Sequence, residues 1–152
     1  MPATAVRRIL VFAALVAFMP GTASADQFLP LGDGWHTYVN DRFGMRFDIP
    51  ADFAPADPPQ NGDGRSFEKG DASLYIFASH NSEGDTPRSF KGQLSTWLVI
   101  SGFRGDRIFY EKYFFHDGVI SAFGMDFPKE DKPIYAPIIE RIEDSFEAGR
   151  SD

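Results

Sequence analysis

The chain contains no cysteine. This absence excludes disulfides, thiol-linked lipids, thiolate metal sites and a thiol nucleophile. A domain that folds without disulfides depends on its own hydrophobic core. The 127 residues that follow position 25 are enough to build one such domain.

The chain also lacks a hydrophobic run long enough to span a bilayer. Its longest apolar stretch, Ile9–Met19, has 11 residues, whereas a transmembrane helix needs about 20. The pair Arg7-Arg8 precedes this stretch, and the small residues Ala23-Ser24-Ala25 follow it. This order is typical of a secretory signal peptide. We therefore predict a cleaved signal peptide over 1–25 and a mature chain, without a membrane anchor, that is periplasmic or secreted.

Basic residues are scarce in the predicted mature chain. After position 25, 13 basic residues stand against 22 acidic ones, a net charge of −9. Nucleic acids and anionic membrane surfaces bind clustered lysine and arginine, so both are excluded as partners. The acidic excess itself favours solubility, and the sequence predicts no cofactor.

Phenylalanine is abundant: the chain has 16, and 14 of them follow position 25. Apolar residues alternate with polar ones in several runs, a period typical of half-buried strands. Asp117-Gly118, between two such runs, is a strong hairpin signal. The runs predict two hairpins and a block of three strands: Trp35–Asn40 with Phe43–Ile49, Ser66–Glu68 with Leu74–His80, and then Trp97–Ser101, Arg107–His116 and Val119–Phe127.

After Pro128 the period becomes helical, from Tyr135 to Phe146. The segment 82–95 is weakly patterned, and Asp85 or Thr86 could cap a short helix there. Together, the predicted strands and helix indicate one α+β domain over 35–148, with an antiparallel sheet of five to seven strands and a C-terminal helix on one face. We predict that residues 26–34 form a flexible leader.

The phrase Tyr38-x-Asn40-x-Arg42-Phe43-Gly44-x-x-Phe47-x-Ile49-Pro50-Ala51-x-Phe53 resembles the opening hairpin of PsbP-like domains. Shorter similarities extend this resemblance over nearly the whole mature chain: Asn61–Arg65, Leu74–Ala78, Ser101-Gly102, Arg107–Glu111 and Ile138–Phe146. The resemblance implies an α/β/α sandwich and a non-enzymatic role as an assembly or binding accessory, with no catalytic residues to carry over. Between Asn81 and Thr96 the chain departs from the pattern, so the middle helical segment is expected to be shortened.

A proline-rich loop carries a candidate calcium site. Aligned to the calcium-loop pattern, Asp57 falls at position 1, Asn61 at position 5 and Glu68 at position 12. Asp63 offers a further carboxylate. Against this, Pro59 stands where the pattern requires a ligand, and Asn-Gly-Asp-Gly is also an ordinary turn sequence. A calcium loop and a plain turn therefore both stay open.

The enzyme alternative is a small hydrolase with Ser101, His116 and Asp117 as its catalytic residues. Ser101 lies at a strand end and the His-Asp pair lies one hairpin away. A catalytic triad is recognised by geometry and not by order along the chain. However, Ser101 lacks the Gly-x-Ser-x-Gly elbow, and adjacent strand residues point to opposite faces.

Two further motifs are weak. The histidines His36, His80 and His116 show no metal-ligand spacing, although a zinc or copper site assembled in three dimensions stays open. Arg104-Gly105-Asp106 spells an adhesion tripeptide, but glycine and aspartate are expected in a hairpin turn.

The aromatic residues of the predicted strands offer the best route to a function. Phe109, Tyr113 and Phe115 lie on one side of their strand. If a shortened segment 81–96 leaves a face bare, a partner surface or apolar groove results. We therefore predict a non-catalytic binding or assembly accessory that binds a protein partner or a small apolar ligand. Its candidate surfaces are this sheet face and the loop Ala51–Gly64; the alternatives are a hydrolase and a calcium-binding module.

Overall fold

The computed structural model describes residues 25–88 and 96–151. In this part of the chain, nine strands form two antiparallel sheets, followed by a C-terminal helix. The small sheet has the order β1-β2-β3 and the large sheet the order β4-β5-β6-β9-β8-β7. The elements are β1 (Gln27–Pro30), β2 (Trp35–Val39), β3 (Arg46–Pro50), β4 (Ala54–Pro55), β5 (Gly64–Lys69), β6 (Ala72–His80), β7 (Trp97–Arg104), β8 (Arg107–His116), β9 (Val119–Pro128), a 3-10 turn (Lys129–Asp131) and α1 (Lys132–Ser145).

The predicted hairpins are present. β2 pairs with β3, β5 with β6, β7 with β8, and β8 with β9. Asp117 and Gly118 form the turn between the last two strands with φ angles of 46° and 70°. Such left-handed angles at both central residues match the twist of the flanking strands, which is why this dipeptide marks the turn.

One face of the large sheet, here called the inner face, carries the core. Phe67, Leu74 and Phe123 are fully buried there. The small sheet packs on it through Tyr38, whose ring lies 5.6 Å from that of Phe67. Helix α1 packs against β3 and β9 on the same side. The predicted α+β class, with antiparallel strands and a C-terminal helix, is confirmed.

Two features differ from the sequence-based expectation. The strands divide into two sheets instead of one, and part of the supposed flexible leader 26–34 is the strand β1. β1 pairs with β2 from Gln27 opposite Val39 to Pro30 opposite His36. A four-residue strand is too short to show a period of its own, and its order comes from partners later in the chain.

The opposite face of the large sheet, here called the outer face, holds the remaining strand positions. The connection from β6 to β7 begins beside this sheet, where the Asn81 backbone amide donates a hydrogen bond to the Gly118 carbonyl at 2.7 Å.

Of the short helix predicted in this connection, residues 87 and 88 have helical backbone, and the rest lies outside the described residues. In the described ranges, no helix has the length and apolar character needed to cross a membrane.

Candidate functional site

The outer face carries a row of aromatic side chains on two strands that are not neighbours in sequence. Tyr75 and Phe77 of β6 stack with ring centroids 6.3 Å apart, and Phe77 meets Tyr113 of β8 edge-on at 6.3 Å. All three are half-buried, as are Phe109 and Phe115 farther along β8. We call these five side chains the aromatic face: Tyr75, Phe77, Phe109, Tyr113 and Phe115.

Phe77 of β6 can reach Tyr113 of β8 because β9, which lies between these strands, presents small residues on the outer face. Tyr75 stands opposite Gly124 and Phe77 opposite Ala122. A Cβ on Gly124 would lie 2.2 Å from Cζ of Tyr75, a distance that real carbon atoms do not adopt. Glycine at this position therefore lets the Tyr75 ring lie flat across β9.

Charged side chains border one end of the aromatic face. The Arg104 guanidinium lies 4.3 Å from the ring centroid of Phe109. It also lies 3.6 Å from Glu111 and 3.9 Å from Asp126. Arg107 makes a further ion pair with Asp126. The carboxylates of Glu111 and Asp126 are only 18% and 22% exposed, so these pairs hold the two arginines in place at this end of the face.

The tyrosine hydroxyls of the sheet are partly desolvated. Burial is the largest cause that raises the pKa of Tyr75 above its ordinary value, and the Glu111 carboxylate adds to it. Burial and the hydrogen bond to Glu143 raise the pKa of Tyr110 on the inner face. The same carboxylate, Glu111, accepts a hydrogen bond from the Tyr113 hydroxyl at 3.0 Å, and the pKa of Tyr113 is raised as well.

These shifts predict alkaline unfolding. A raised pKa in the folded state means that the folded protein binds the phenolic proton more tightly than the unfolded chain, whose tyrosines ionise at about pH 10. The stabilisation is fully present below that pH and is lost as the pH rises above it. We expect phenolate absorbance and loss of circular dichroism to rise together above about pH 10. Phenols that titrate normally while the fold stays intact would contradict this.

A cleft adjoins the β6 side of the aromatic face. It has a volume of about 410 Å³ and lies between the proline-rich loop and the sheet. On the sheet the cleft is lined by Tyr75 and Phe77, and on the loop it is lined by Asp57, Pro59 and Asp63. The two surfaces that the sequence singled out, the sheet face and the loop 51–64, therefore meet at one place.

Comparisons with known proteins concern the fold. No family model and no curated protein matches the chain. Among solved structures, it matches the solution structure of cyanobacterial PsbP (CyanoP) from Synechocystis sp. PCC 6803, with a TM-score of 0.50 and 11% sequence identity, over 88% of this chain and 98% of that one. The chain has a PsbP-like fold. The resemblance inferred from the opening hairpin phrase is thereby confirmed at the level of the fold.

Two of the calcium candidates, Asp63 and Asn61, already contact other protein groups. The Asp63 carboxylate pairs with Arg42 and accepts a hydrogen bond from the Asn61 side-chain amide at 2.5 Å. Asp57 and Glu68 are exposed, on the loop and on β5. The described residues contain no group of three histidine or acidic side chains placed to hold a metal ion. The calcium loop stays a prediction from spacing.

The hydrolase candidates do not converge. Ser101 stands opposite Tyr110, while His116 lies at the other end of β8, opposite Val119. Six residues of strand separate positions 110 and 116, which is about 20 Å. His116 and Asp117 are neighbours, with 3.1 Å between Nε2 and Oδ2. Ser101 is thus far outside hydrogen-bond reach of the pair that a triad requires.

The histidines lie on strands and the adhesion tripeptide lies at a turn. His80 and His116 flank Val119 from either side, and the His80 ring packs on Phe43 at 5.2 Å. His36 lies in the small sheet, opposite Ile49. Arg104-Gly105-Asp106 covers the β7–β8 turn, where Gly105 has a φ of 63°.

Periodicity places Tyr75, Phe77 and Gly124 in strands but assigns none of them to a site. Their relation to Tyr113 depends on β9 lying between β6 and β8 in the PsbP-like fold. The available signal was the alternation Ala122-x-Gly124 in β9, since two small residues on one face of a central strand leave room for large neighbours.

Proposed function

We propose that this chain is an exported, non-catalytic accessory protein that binds a partner protein through the aromatic face and the adjoining cleft. The observation that carries the proposal is the contact cluster of Tyr75, Phe77 and Tyr113, with Phe109 and Phe115 on the same strand face, on a side of the sheet that neither α1 nor the small sheet covers. All five side chains are half-buried, and Leu98, opposite Tyr113 on β7, is buried beside them. Aromatic residues with a polar border are the composition of binding hot spots.

The charge of the chain specifies the partner's chemistry. The predicted mature chain has a net charge of −9, and the cleft carries the exposed Asp57 on its loop side, whereas Asp63 beside it is paired with Arg42. A partner surface with an apolar centre and a basic border complements the net charge and Asp57. Export is supported by the signal-like segment 1–25, and the non-catalytic role by the separation of Ser101 from His116.

Site-specific photocrosslinking in the envelope of the native cell tests this proposal. Phe77 and Phe109, at two ends of the aromatic face, are each replaced by photoreactive benzoylphenylalanine. The matched control carries the same group at Ile134, which is 56% exposed on α1. We expect one shared partner protein from both aromatic-face positions and none from the control.

Binding of the purified partner then tests the surface directly. We expect Phe77→Ala to weaken binding tenfold or more, because an aromatic side chain buried in an interface contributes roughly 1–2 kcal/mol or more, and we expect Ile134→Ala to leave binding unchanged. Equal crosslinking from Ile134, or unchanged binding by Phe77→Ala, contradicts the proposal. A small apolar molecule that copurifies and is released by Phe77→Ala, with no partner protein, would favour the small-ligand alternative instead.

A further inference from the structure

A groove of about 420 Å³ lies on the inner face, between α1 and the strands β7 and β8. Its lining is mainly apolar and includes Phe103, Ile108 and Ile139. Phe103 is the most exposed of the large apolar side chains in the described part of the chain, at 72%. The groove is therefore an apolar surface that the described residues leave uncovered, and a surface of this kind is typical of a binding site.

Two opposite charges line this groove on α1. Lys132 is the first residue of the helix, and Glu140 lies eight positions later on the same helix face. Both side chains are exposed, and neither makes an ion pair or a hydrogen bond with another described residue. Eight positions of an α-helix span about 12 Å, so the groove presents a cation and an anion roughly that far apart.

The two charges stand towards opposite ends of the groove. Helix α1 begins beside the start of β8, since the last residue of β9 pairs with Arg107. It ends beside the middle of β8, where Glu143 accepts a hydrogen bond from the Tyr110 hydroxyl. Lys132 therefore lies towards the start of β8, and Glu140 lies towards Tyr110.

Helix stability does not explain these charges. The positive N-terminal end of a helix dipole favours acidic residues, and the negative C-terminal end favours basic ones. In α1 the basic Lys132 occupies the first position, and no basic residue lies in the last turn. Glu140 and Glu143 stand in the C-terminal half instead. Because Lys132 and Glu140 are placed against the dipole and have no partner among the described residues, a ligand with complementary ends accounts for them better than the fold does.

We propose that the groove binds a short apolar peptide with both ends free, about four residues long, because an extended chain rises about 3.3 Å per residue. The ammonium group of the peptide pairs with Glu140 and its carboxylate pairs with Lys132, while its apolar side chains cover Phe103. Ser101 lines the groove, is exposed and makes no hydrogen bond with the described residues, so its hydroxyl is available to the peptide main chain. The groove and the aromatic face are on opposite sides of the sheet, so this site is additional to the proposed partner surface.

Isothermal titration calorimetry of the purified protein with the tetrapeptide alanyl-leucyl-leucyl-alanine tests the proposal. We expect a dissociation constant on the order of 100 µM, because the groove is open and the ligand is small. Acetylation of the amino end of the peptide, or amidation of its carboxyl end, removes one of the two charges. Each modification should weaken binding about fivefold.

Two variants assign each end of the peptide to its side chain. Glu140→Gln should weaken binding of the free peptide about fivefold and leave acetylation without further effect. Lys132→Met should do the same for amidation. The crossed combinations should stay additive, because the two charges act at separate ends of the groove. The matched controls are Glu130→Gln and Lys129→Met, which are exposed positions outside the groove lining and should bind like the parent protein.

Several results would overturn the proposal: no binding at about 1 mM peptide, equal affinity for free and blocked peptides, or a Glu140→Gln variant that stays as sensitive to acetylation as the parent. Aminodecanoic acid with its amine on the last carbon has a similar length and both charges but no peptide main chain. If it binds as tightly as the tetrapeptide, the assignment to peptides is wrong. None of these results bears on the partner that crosslinks to Phe77, so the groove and the proposed function are tested separately.

Discussion

Replacing Phe146 with alanine is expected to lower the free energy of unfolding by about 2 kcal/mol and the melting temperature by roughly 8 °C. Phe146 follows directly after α1 and contacts three other elements. Its ring stacks on Phe114 of β8 with centroids 4.3 Å apart and planes 8° apart. It also lies 5.9 Å from Phe47 of β3 and 5.8 Å from Phe123 of β9.

The loss is large because this one ring joins the helix, the small sheet and the large sheet. Phe146 is half-buried, so the loss comes from its contacts with both sheets and from the wider cleft that its removal opens beside Phe114. Urea unfolding followed by circular dichroism measures the effect. The control is Ile134→Ala on α1, an exposed position where a change within about 0.5 kcal/mol is expected. A loss below about 1 kcal/mol for Phe146→Ala would show that the sheets do not depend on this contact.

Sequence periodicity predicts most of the elements because their apolar residues recur at regular intervals along the chain. The alternation in Phe43–Ile49 and Arg107–His116 and the helical spacing up to Phe146 are local properties of the chain. The division into two sheets is not local: it depends on which strands pair, and β6 pairs with β9 across 38 residues of intervening chain. Alternation places a residue on a face but does not identify the neighbouring strand.

For the candidate sites too, local features can be predicted from the sequence, whereas contacts between distant strands cannot. Phe109, Tyr113 and Phe115 could be placed on one side of β8 from alternation alone. The separation of Ser101 from His116 was also available from the sequence, because the turn at Gly105-Asp106 fixes the β7–β8 register and sets Ser101 opposite Tyr110. By contrast, the need for glycine at position 124 appears only when Tyr75 of another strand is placed above it.

Replacing Asp26 with alanine is expected to cost about 2–3 kcal/mol, although Asp26 stands at the start of the supposed flexible leader. Its carboxylate accepts hydrogen bonds from the Tyr38 hydroxyl at 2.6 Å, the Asn40 side-chain amide at 3.2 Å and the Asp41 backbone amide at 3.1 Å. Tyr38 and Asn40 are fully buried. Removing the acceptor therefore leaves buried donors with fewer partners, which costs more than an average hydrogen bond contributes.

The matched control is Asp33→Ala, since Asp33 belongs to the same leader and its partner is the Arg141 guanidinium at 2.8 Å. That pair is largely exposed, so its loss is expected to cost less than about 1 kcal/mol. Chemical denaturation of the two variants compares them directly, and equal losses would contradict the anchoring role of Asp26. The leader looked flexible because its composition is polar, with glycine and proline. It is ordered because its first carboxylate meets donors that lie 12 to 15 positions farther along the chain, and this information is absent from the leader itself.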